Sequence, residues 1–174
     1  MMKRQMLTGF EKRGELTAPH GRLHERCAMS RTRAWPWLLA CTLAAAAPAA
    51  YSAACTVSAI GVNFGNYDVF GTLATDITGT VSINCNKSSL YTISLNGGSG
   101  TFASRTMTNG ANTLTYNLYL DVTRLTIWGD GSPGTGIVSA TAKTASHTVY
   151  GRIPALQNAP VGNYTDTIIV TMTF

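Results

Sequence analysis

The part of the chain that follows residue 55 alternates apolar and polar residues with a period of two. None of its segments shows a sustained 3.6-residue apolar period. Alternation of this kind is typical of β-strands that are buried on one face. Gly, Asn and Asp separate the alternating segments, which predict seven strands at 56–63, 78–86, 90–95, 113–120, 125–128, 147–153 and 165–174. Short strands at this spacing, without a helix, predict an all-β sandwich or barrel.

The clearest of these strands is the last one, 165–174. Four apolar residues share one face of this strand, and threonines with Ile169 share the other; the four are Ile168, Val170, Met172 and Phe174. The alternation continues to the last residue of the sequence, so we expect this strand to have no following strand at its outer edge. An uncovered apolar edge favours pairing with another chain.

Charge is distributed unevenly along the sequence. Residues 1–54 contain eight of the 13 Lys and Arg residues, whereas residues 55–174 contain five basic and five acidic residues and carry no net charge. The basic pI near 9.2 is therefore a property of the N-terminal part. A neutral domain lacks the positive surface that attracts nucleic-acid backbones and anionic lipids, so we expect neither as a partner.

The N-terminal part has the features of a secretory signal. Basic residues precede an apolar stretch at 37–47, and small residues at 52–54 fit cleavage before Cys55. We predict a signal peptide at 29–54, since Met29 begins a conventional signal, and a start-site artefact or extension at 1–28. The alternative to a signal peptide is that the apolar stretch forms a buried core helix. The apolar stretch is too short for a stable membrane anchor, and we expect no membrane span after cleavage.

Two cysteines remain after the predicted cleavage, Cys55 and Cys85. In an oxidising compartment, two cysteines of a small exported domain favour a disulfide bond, which would stabilise the fold by roughly 3–4 kcal/mol. Lipidation of Cys55 is the alternative, although Ser52 stands where such signals usually have Leu. Both possibilities remain open from the sequence.

Residues that carry chemistry are scarce after residue 55. This part contains no Glu, and its Asp residues, scattered among Gly and Thr, are expected in solvated turns. His147 is the only histidine there, and we expect it to be hydrogen-bonded within a strand. We therefore predict no catalytic residue, no metal site and no cofactor. Three aromatic residues near predicted loops are candidates for stacking on sugars, although aromatic residues of a sandwich more often lie in the core: Tyr119, Trp128 and Tyr150.

Several phrases of the sequence, in order, resemble the Spore Coat Protein U domain, a family that includes subunits of archaic chaperone–usher pili. They are Cys55-Thr-Val, Phe64-Gly-Asn-Tyr67, Gly79-Thr-Val-Ser-Ile-Asn-Cys85, Tyr91-Thr-Ile-Ser-Leu95, Leu114-Thr-Tyr-Asn-Leu-Tyr119, Trp128-Gly-Asp-Gly131, Val149-Tyr-Gly-Arg-Ile-Pro154 and Gly162-Asn-Tyr-Thr-Asp-Thr-Ile-Ile-Val-Thr-Met-Thr-Phe174. Together they extend over residues 55–174, which we take as one pilin domain of this type.

The resemblance implies an immunoglobulin-like β-sandwich of about seven antiparallel strands that lacks its final strand. A periplasmic chaperone lends a strand to the open groove of such a subunit, and a neighbouring subunit later replaces it at the outer-membrane usher. The resemblance matches Cys55 and Cys85 to the bridge between the first two strands. It matches the terminal strand to the edge that the chaperone pairs with, where Ile168, Val170, Met172 and Phe174, or the opposite face, would line the groove.

The expected function is therefore that of a structural subunit, exported through the periplasm to a surface pilus or coat and supporting adhesion and biofilm formation. A carbohydrate-binding or adhesive module that folds unaided is the alternative. With cleavage after Ala54 no donor segment would precede Cys55, and with cleavage after Ala47 only residues 48–54 would, where Tyr51 is the only large side chain; in this the expected mature chain departs from the family. We thus expect a subunit that accepts a strand but does not give one, and that is poorly stable in isolation.

Overall fold

The structure is a computed structural model, and it describes residues 12–13 and 53–174. These residues form nine strands: β1 Lys12–Arg13, β2 Cys55–Ile60, β3 Thr75–Leu95, β4 Arg105–Asn109, β5 Asn112–Tyr119, β6 Ile127–Trp128, β7 Thr135–Gly136, β8 Val138–Ile153 and β9 Val170–Thr173. None of the described residues forms a helix, so none forms one that could cross a membrane. The signal peptide predicted at 29–54 and the extension predicted at 1–28 lie outside the described residues, except for 12–13 and 53–54.

The long strand β3 organises the sandwich because it pairs with different neighbours along its length. Its first part pairs with β2 and with the second part of β8, both antiparallel. The register shifts between Asn84 and Ser89, after which β3 pairs with the first part of β8 and with β9. The predicted strands 78–86 and 90–95 are therefore one strand. The polar residues between them form an irregularity in the ladder, not a turn.

The sheet is open, with strand order β1-β9-β3-β8-β5-β6-β7, and β2 and β4 pair with β3 and β5 beside this path. The pairs β1–β9 and β6–β7 are parallel, and the other pairs are antiparallel. Inward side chains of β3, β5, β8 and β9 form the apolar core, together with Val62, Phe64 and Tyr67 from the segment after β2. This all-β sandwich agrees with the fold class predicted from the sequence.

The strands differ from the sequence prediction in several places, since β1 and β7 were not predicted and β9 begins at Val170 instead of residue 165. Strand β8 begins at Val138, nine residues before the predicted start at 147. Its early inward positions are Val138, Ala140 and Ala142, which pack against the core although two of them are small. Strand β4 was not predicted, and its inward residues are Arg105 and Met107, both fully buried. A buried arginine interrupts the apolar pattern by which a strand is recognised.

A disulfide bond joins Cys55, the first residue of β2, to Cys85 of β3. The two residues are directly opposite each other in the antiparallel ladder, with 4.0 Å between their Cα atoms. Beyond the bridge, the Asn86 amide donates to the Ala54 carbonyl at 2.9 Å, and the Ala54 amide donates to the Asn86 side chain at 3.1 Å. The edge strand β2 is thereby held at its first residue by a covalent bond and by hydrogen bonds.

Candidate strand-accepting edge

Strand β9 has two edges, and only one of them is covered by a long strand. Its inner edge pairs with β3 from Thr92 opposite Thr173 to Leu95 opposite Val170. Among the described residues, its outer edge pairs only with the two residues of β1, where Lys12 and Arg13 lie parallel to β9. The outer edge of β9 can therefore pair with a strand, and most of its length is left for one.

The backbone groups that this outer edge presents follow from the ladder. The Asn96 amide donates to the Ile169 carbonyl at 3.1 Å, so this opposed pair is hydrogen-bonded. Bonded and non-bonded pairs alternate in an antiparallel ladder. Thr171 and Thr173 therefore direct their backbone groups to β3, whereas Val170 and Met172 direct theirs to the outer edge.

The residues predicted to line a groove differ in exposure. Ile168, Val170 and Met172 are buried in the core, whereas Phe174 is 49% exposed. On the opposite face, Ile169 is half-buried and the threonines are half-buried or exposed. Phe174 is thus the member of the set that a partner on the surface can reach directly, and the lining of a groove by the other three stays a prediction.

The segment that leads into β9 is fixed by Asp166, which is only 4% exposed. One carboxylate oxygen accepts hydrogen bonds from the Ser99 amide at 2.9 Å and the Ser99 hydroxyl at 2.8 Å. The other accepts one from the Tyr116 hydroxyl at 2.6 Å. Burial and the bond to Asp166 raise the pKa of Tyr116. The prediction that Asp166 lies in a solvated turn is wrong, because residues distant in sequence enclose its carboxylate.

Gly98 allows the loop between β3 and β4 to approach this carboxylate. Its φ is +62°, in the left-handed region that glycine adopts without strain. A Cβ at this position would collide with the Asp166 carboxylate.

Arg105 is fully buried and connects β3, β4, β5 and β6. Its Nε and Nη2 donate to the Asn96 carbonyl at 3.1 and 2.8 Å, and Nη2 also donates to the Trp128 carbonyl at 2.7 Å. Its Nη1 donates to Asn117 Oδ1 at 2.6 Å. Burial lowers the pKa of Arg105 from its ordinary value. These bonds compensate for the removal of its charge from water, and no sequence motif indicated them.

The aromatic residues proposed for sugar stacking do not form a common platform. Trp128 is fully buried, and its indole N–H donates to the Ile93 carbonyl at 3.1 Å. Trp128 is therefore a core residue, as aromatic residues of a sandwich usually are, and it is not available to stack on a sugar. Tyr119 and Tyr150 are half-buried, and the Arg124 guanidinium lies 5.9 Å from the centre of the Tyr150 ring.

The remaining candidates for chemistry make structural contacts. His147 lies in β8, and its Nε2 is 2.9 Å from the Tyr91 hydroxyl; partial burial lowers the His147 pKa. Asp121 and Asp130 accept hydrogen bonds within their own loops, which lowers the pKa of both carboxyl groups. Within residues 12–13 and 53–174, no three His, Cys, Asp or Glu side chains are grouped so that they could hold a metal ion.

Comparison with known proteins gives consistent similarities. The sequence model of the Spore Coat Protein U domain matches residues 40–171. Protein U of Myxococcus xanthus is 41% identical over 128 residues, which cover 65% of this chain and 71% of Protein U.

Among solved structures, the fold is similar to a chain in the crystal structure of the CsuC–CsuE chaperone-tip adhesion subunit pre-assembly complex from archaic chaperone–usher Csu pili of Acinetobacter baumannii. The TM-score is 0.52 at 22% identity, with 71% of this chain and 40% of that chain covered. At this identity the similarity shows the shared fold.

Proposed function

This chain belongs to the Spore Coat Protein U domain family, and on that premise we propose that it is a structural subunit of a chaperone–usher pilus or coat at the cell surface. Its outer β9 edge accepts a donor strand, first from a periplasmic chaperone and then from a neighbouring subunit at the outer-membrane usher. The proposal assigns the chain no catalytic activity. Its route is export to the periplasm through the signal peptide predicted at 29–54.

The observation that carries this proposal is the state of the β9 outer edge. A two-residue strand already pairs with it in parallel, so the edge has a geometry to which a strand can bind. The outward backbone groups of Val170 and Met172 would hydrogen-bond a longer donor, and the exposed part of Phe174 would pack against its side chains. The disulfide between Cys55 and Cys85 fits a protein that folds in an oxidising compartment.

Export of residues 29–174 to the periplasm, with and without a chaperone of archaic pili, tests the proposal. We expect soluble chain only when the chaperone is present, in a complex that contains one copy of each. Mass spectrometry of the complex reads the N-terminus and the state of Cys55, and so distinguishes a disulfide from a lipid. A chain that is soluble, monomeric and stable without the chaperone would show that the sandwich needs no added strand.

A matched pair of variants locates the contact. Phe174→Asp places a charge at the end of β9, and we expect it to weaken capture by the chaperone roughly 5- to 30-fold, since part of one aromatic side chain no longer docks. Phe70→Asp makes the same change on a loop, at a residue that is 87% exposed. Equal capture of both variants would place the chaperone elsewhere on the subunit.

We propose adhesion as a second function, on the basis of two adjoining loops with exposed apolar residues. Phe70 and Leu73 precede β3, and Leu125 lies between β5 and β6; all three are more than 80% exposed. The two loops approach each other near Asp76, the second residue of β3, whose Oδ1 lies 3.2 Å from Arg124 Nε. Apolar side chains displayed in this way favour contact with apolar surfaces.

Adsorption of purified chaperone–subunit complex to polystyrene and to glycan-coated beads tests this second function. We expect the double variant Phe70→Ser/Leu125→Ser to lose most of its adsorption to polystyrene. The control is Thr56→Ser on an exposed strand face, which should adsorb like the unmodified subunit. Unchanged adsorption of the double variant to polystyrene would refute an adhesive role of these loops. Glycan binding by both proteins would support a carbohydrate-binding module instead.

A further inference from the structure

The pattern of the terminal strand does not by itself specify its register against β3. Inward apolar residues occur at every second position from Ile168 to Phe174. A shift of the strand by two residues keeps apolar side chains in the core, because strand side chains alternate with a period of two. The same shift also preserves the alternation of bonded and non-bonded pairs. Some other feature must therefore select the observed register, in which Thr173 lies opposite Thr92.

Asn96 supplies a first feature, immediately before the ladder begins. Its amide donates to the Ile169 carbonyl, and its side-chain oxygen accepts from the Ile169 amide at 2.9 Å. In an ordinary bonded pair, the backbone carbonyl of Asn96 would accept that second bond. Here that carbonyl accepts two N–H groups of Arg105, and the Asn96 side chain takes its place. Because both bonds reach backbone groups that every strand residue shares, Asn96 excludes a shift of one residue but not a shift of two.

Asp166 supplies a second feature three residues earlier. Its carboxylate is held by Ser99 and Tyr116, on a loop and a strand that do not move with β9. A two-residue shift toward Phe174 would carry Asp166 into the place of Ile168, which is 2% exposed and lined by apolar residues. Burial of a carboxylate without its hydrogen-bond donors is strongly unfavourable. A shift in either direction therefore separates Asp166 from its partners.

We propose that Asp166, with its donors Ser99 and Tyr116, acts as a register latch, which selects one register of β9 among those that its apolar pattern allows. Where the outer edge accepts a donor, which rests on the proposed function, the latch also determines which donor residues lie opposite Val170 and Met172. The partner that this edge would recognise is thus an extended peptide strand in one alignment.

Two engineered cysteine pairs read the register directly in the exported chain. Thr92→Cys with Thr173→Cys reports the observed register, since opposed residues of a bonded pair lie about 5.5 Å apart. Thr92→Cys with Thr171→Cys reports the shifted one, since diagonal residues lie about 7–8 Å apart and bridge poorly. Peptide mapping by mass spectrometry separates either bridge from Cys55–Cys85. In a chain whose latch residues are unchanged, we expect the first pair to cross-link at least tenfold more than the second. We call this quotient of the two yields the cross-link ratio.

Latch variants should change this ratio. Asp166→Ala removes hydrogen bonds that exist only in the observed register, and we expect it to lower the ratio roughly tenfold. Asp166→Asn keeps an acceptor for Ser99 and should retain the ratio. The control Asp130→Ala removes a carboxylate that accepts from Ser132 in an exposed turn, and should leave the ratio unchanged. A ratio in Asp166→Ala equal to that in the control would overturn the latch.

The cross-link ratio and chaperone capture are separate readouts. Capture of the unmodified chain tests the proposed function, whereas the ratio tests the latch whether or not a chaperone binds. If Asp166→Ala does not accumulate, Tyr116→Phe tests the same claim at another residue, because it removes the hydroxyl that donates to Asp166. A lowered ratio in Tyr116→Phe supports the latch, and an unchanged ratio contradicts it.

Discussion

Removal of the disulfide bond should destabilise the sandwich by an amount that the structure allows us to calculate. The bridge connects Cys55 and Cys85, which are 30 residues apart in sequence. The loss of chain entropy in an unfolded chain closed at that length corresponds to about 3–4 kcal/mol. This is a large part of the roughly 5–15 kcal/mol by which a typical domain is stable. The perturbation we propose is the double variant Cys55→Ala/Cys85→Ala, since Cys85 is buried and alanine adds no polar group.

Urea unfolding of the exported chain measures this difference. Trp128 is the only tryptophan of residues 55–174 and is fully buried, so its fluorescence reports unfolding of the core. With a slope of about 1–3 kcal/mol per molar urea, the midpoint of the variant should fall by about 1–4 M. The unmodified chain treated with dithiothreitol is the matched control, because it loses the same bridge without a change of sequence. Equal midpoints for the oxidised chain, the reduced chain and the variant would refute the entropic argument.

Three further variants test the buried polar contacts and the surface charge by the same unfolding assay. Arg105→Met should lower the free energy of unfolding by about 3–5 kcal/mol, because it removes a buried charged group from its hydrogen-bond acceptors. The control Arg152→Met, at an exposed ion pair, should lower it by under about 1 kcal/mol. Equal losses would contradict the burial of Arg105. Gly98→Ala should lower the free energy of unfolding by about 1–3 kcal/mol or more. This loss should clearly exceed that of Gly110→Ala, because Gly110 has a similar φ but open space around it. A smaller loss would refute the close contact between Gly98 and Asp166. The hydrogen bond from Arg152 lowers the pKa of Asp76, so this pair stabilises the fold above the ordinary pKa of 3.8, and its contribution disappears as the pH falls through the lowered value. A pH series from 6 to 2 should therefore show a steeper loss in the unmodified chain than in Asp76→Asn, and identical curves would contradict the linkage.

The sequence predicted the β-class, the terminal strand and the family because these depend on short-range alternation and on ordered phrases. It failed where the pattern depends on small or polar inward residues. Ala140 and Ala142 gave no apolar signal for the first part of β8, and the buried Arg105 concealed β4. The sequence also could not place Asp166 in the interior. Its donors Ser99 and Tyr116 are 67 and 50 residues away, and only the folded chain brings them together.

The break in β3 illustrates the same limit in the opposite direction. Residues 86–88 are polar and exposed, with the composition of a turn, yet the structure keeps them within one strand. The register shift at Asn84 and Ser89 allows β3 to leave one set of neighbours and join another. Composition alone does not distinguish such an irregularity from a turn, because both place polar residues at the surface.

The central claim is that the outer edge of β9 accepts a strand, and amide hydrogen exchange with residue resolution tests it most directly. The free subunit is compared with the subunit bound to the chaperone. The account predicts that the amides of Val170 and Met172, which face the outer edge, become protected on binding, whereas those of Thr171 and Thr173 are protected in both states by β3. A chaperone complex in which Val170 and Met172 exchange as fast as in the free subunit would contradict it.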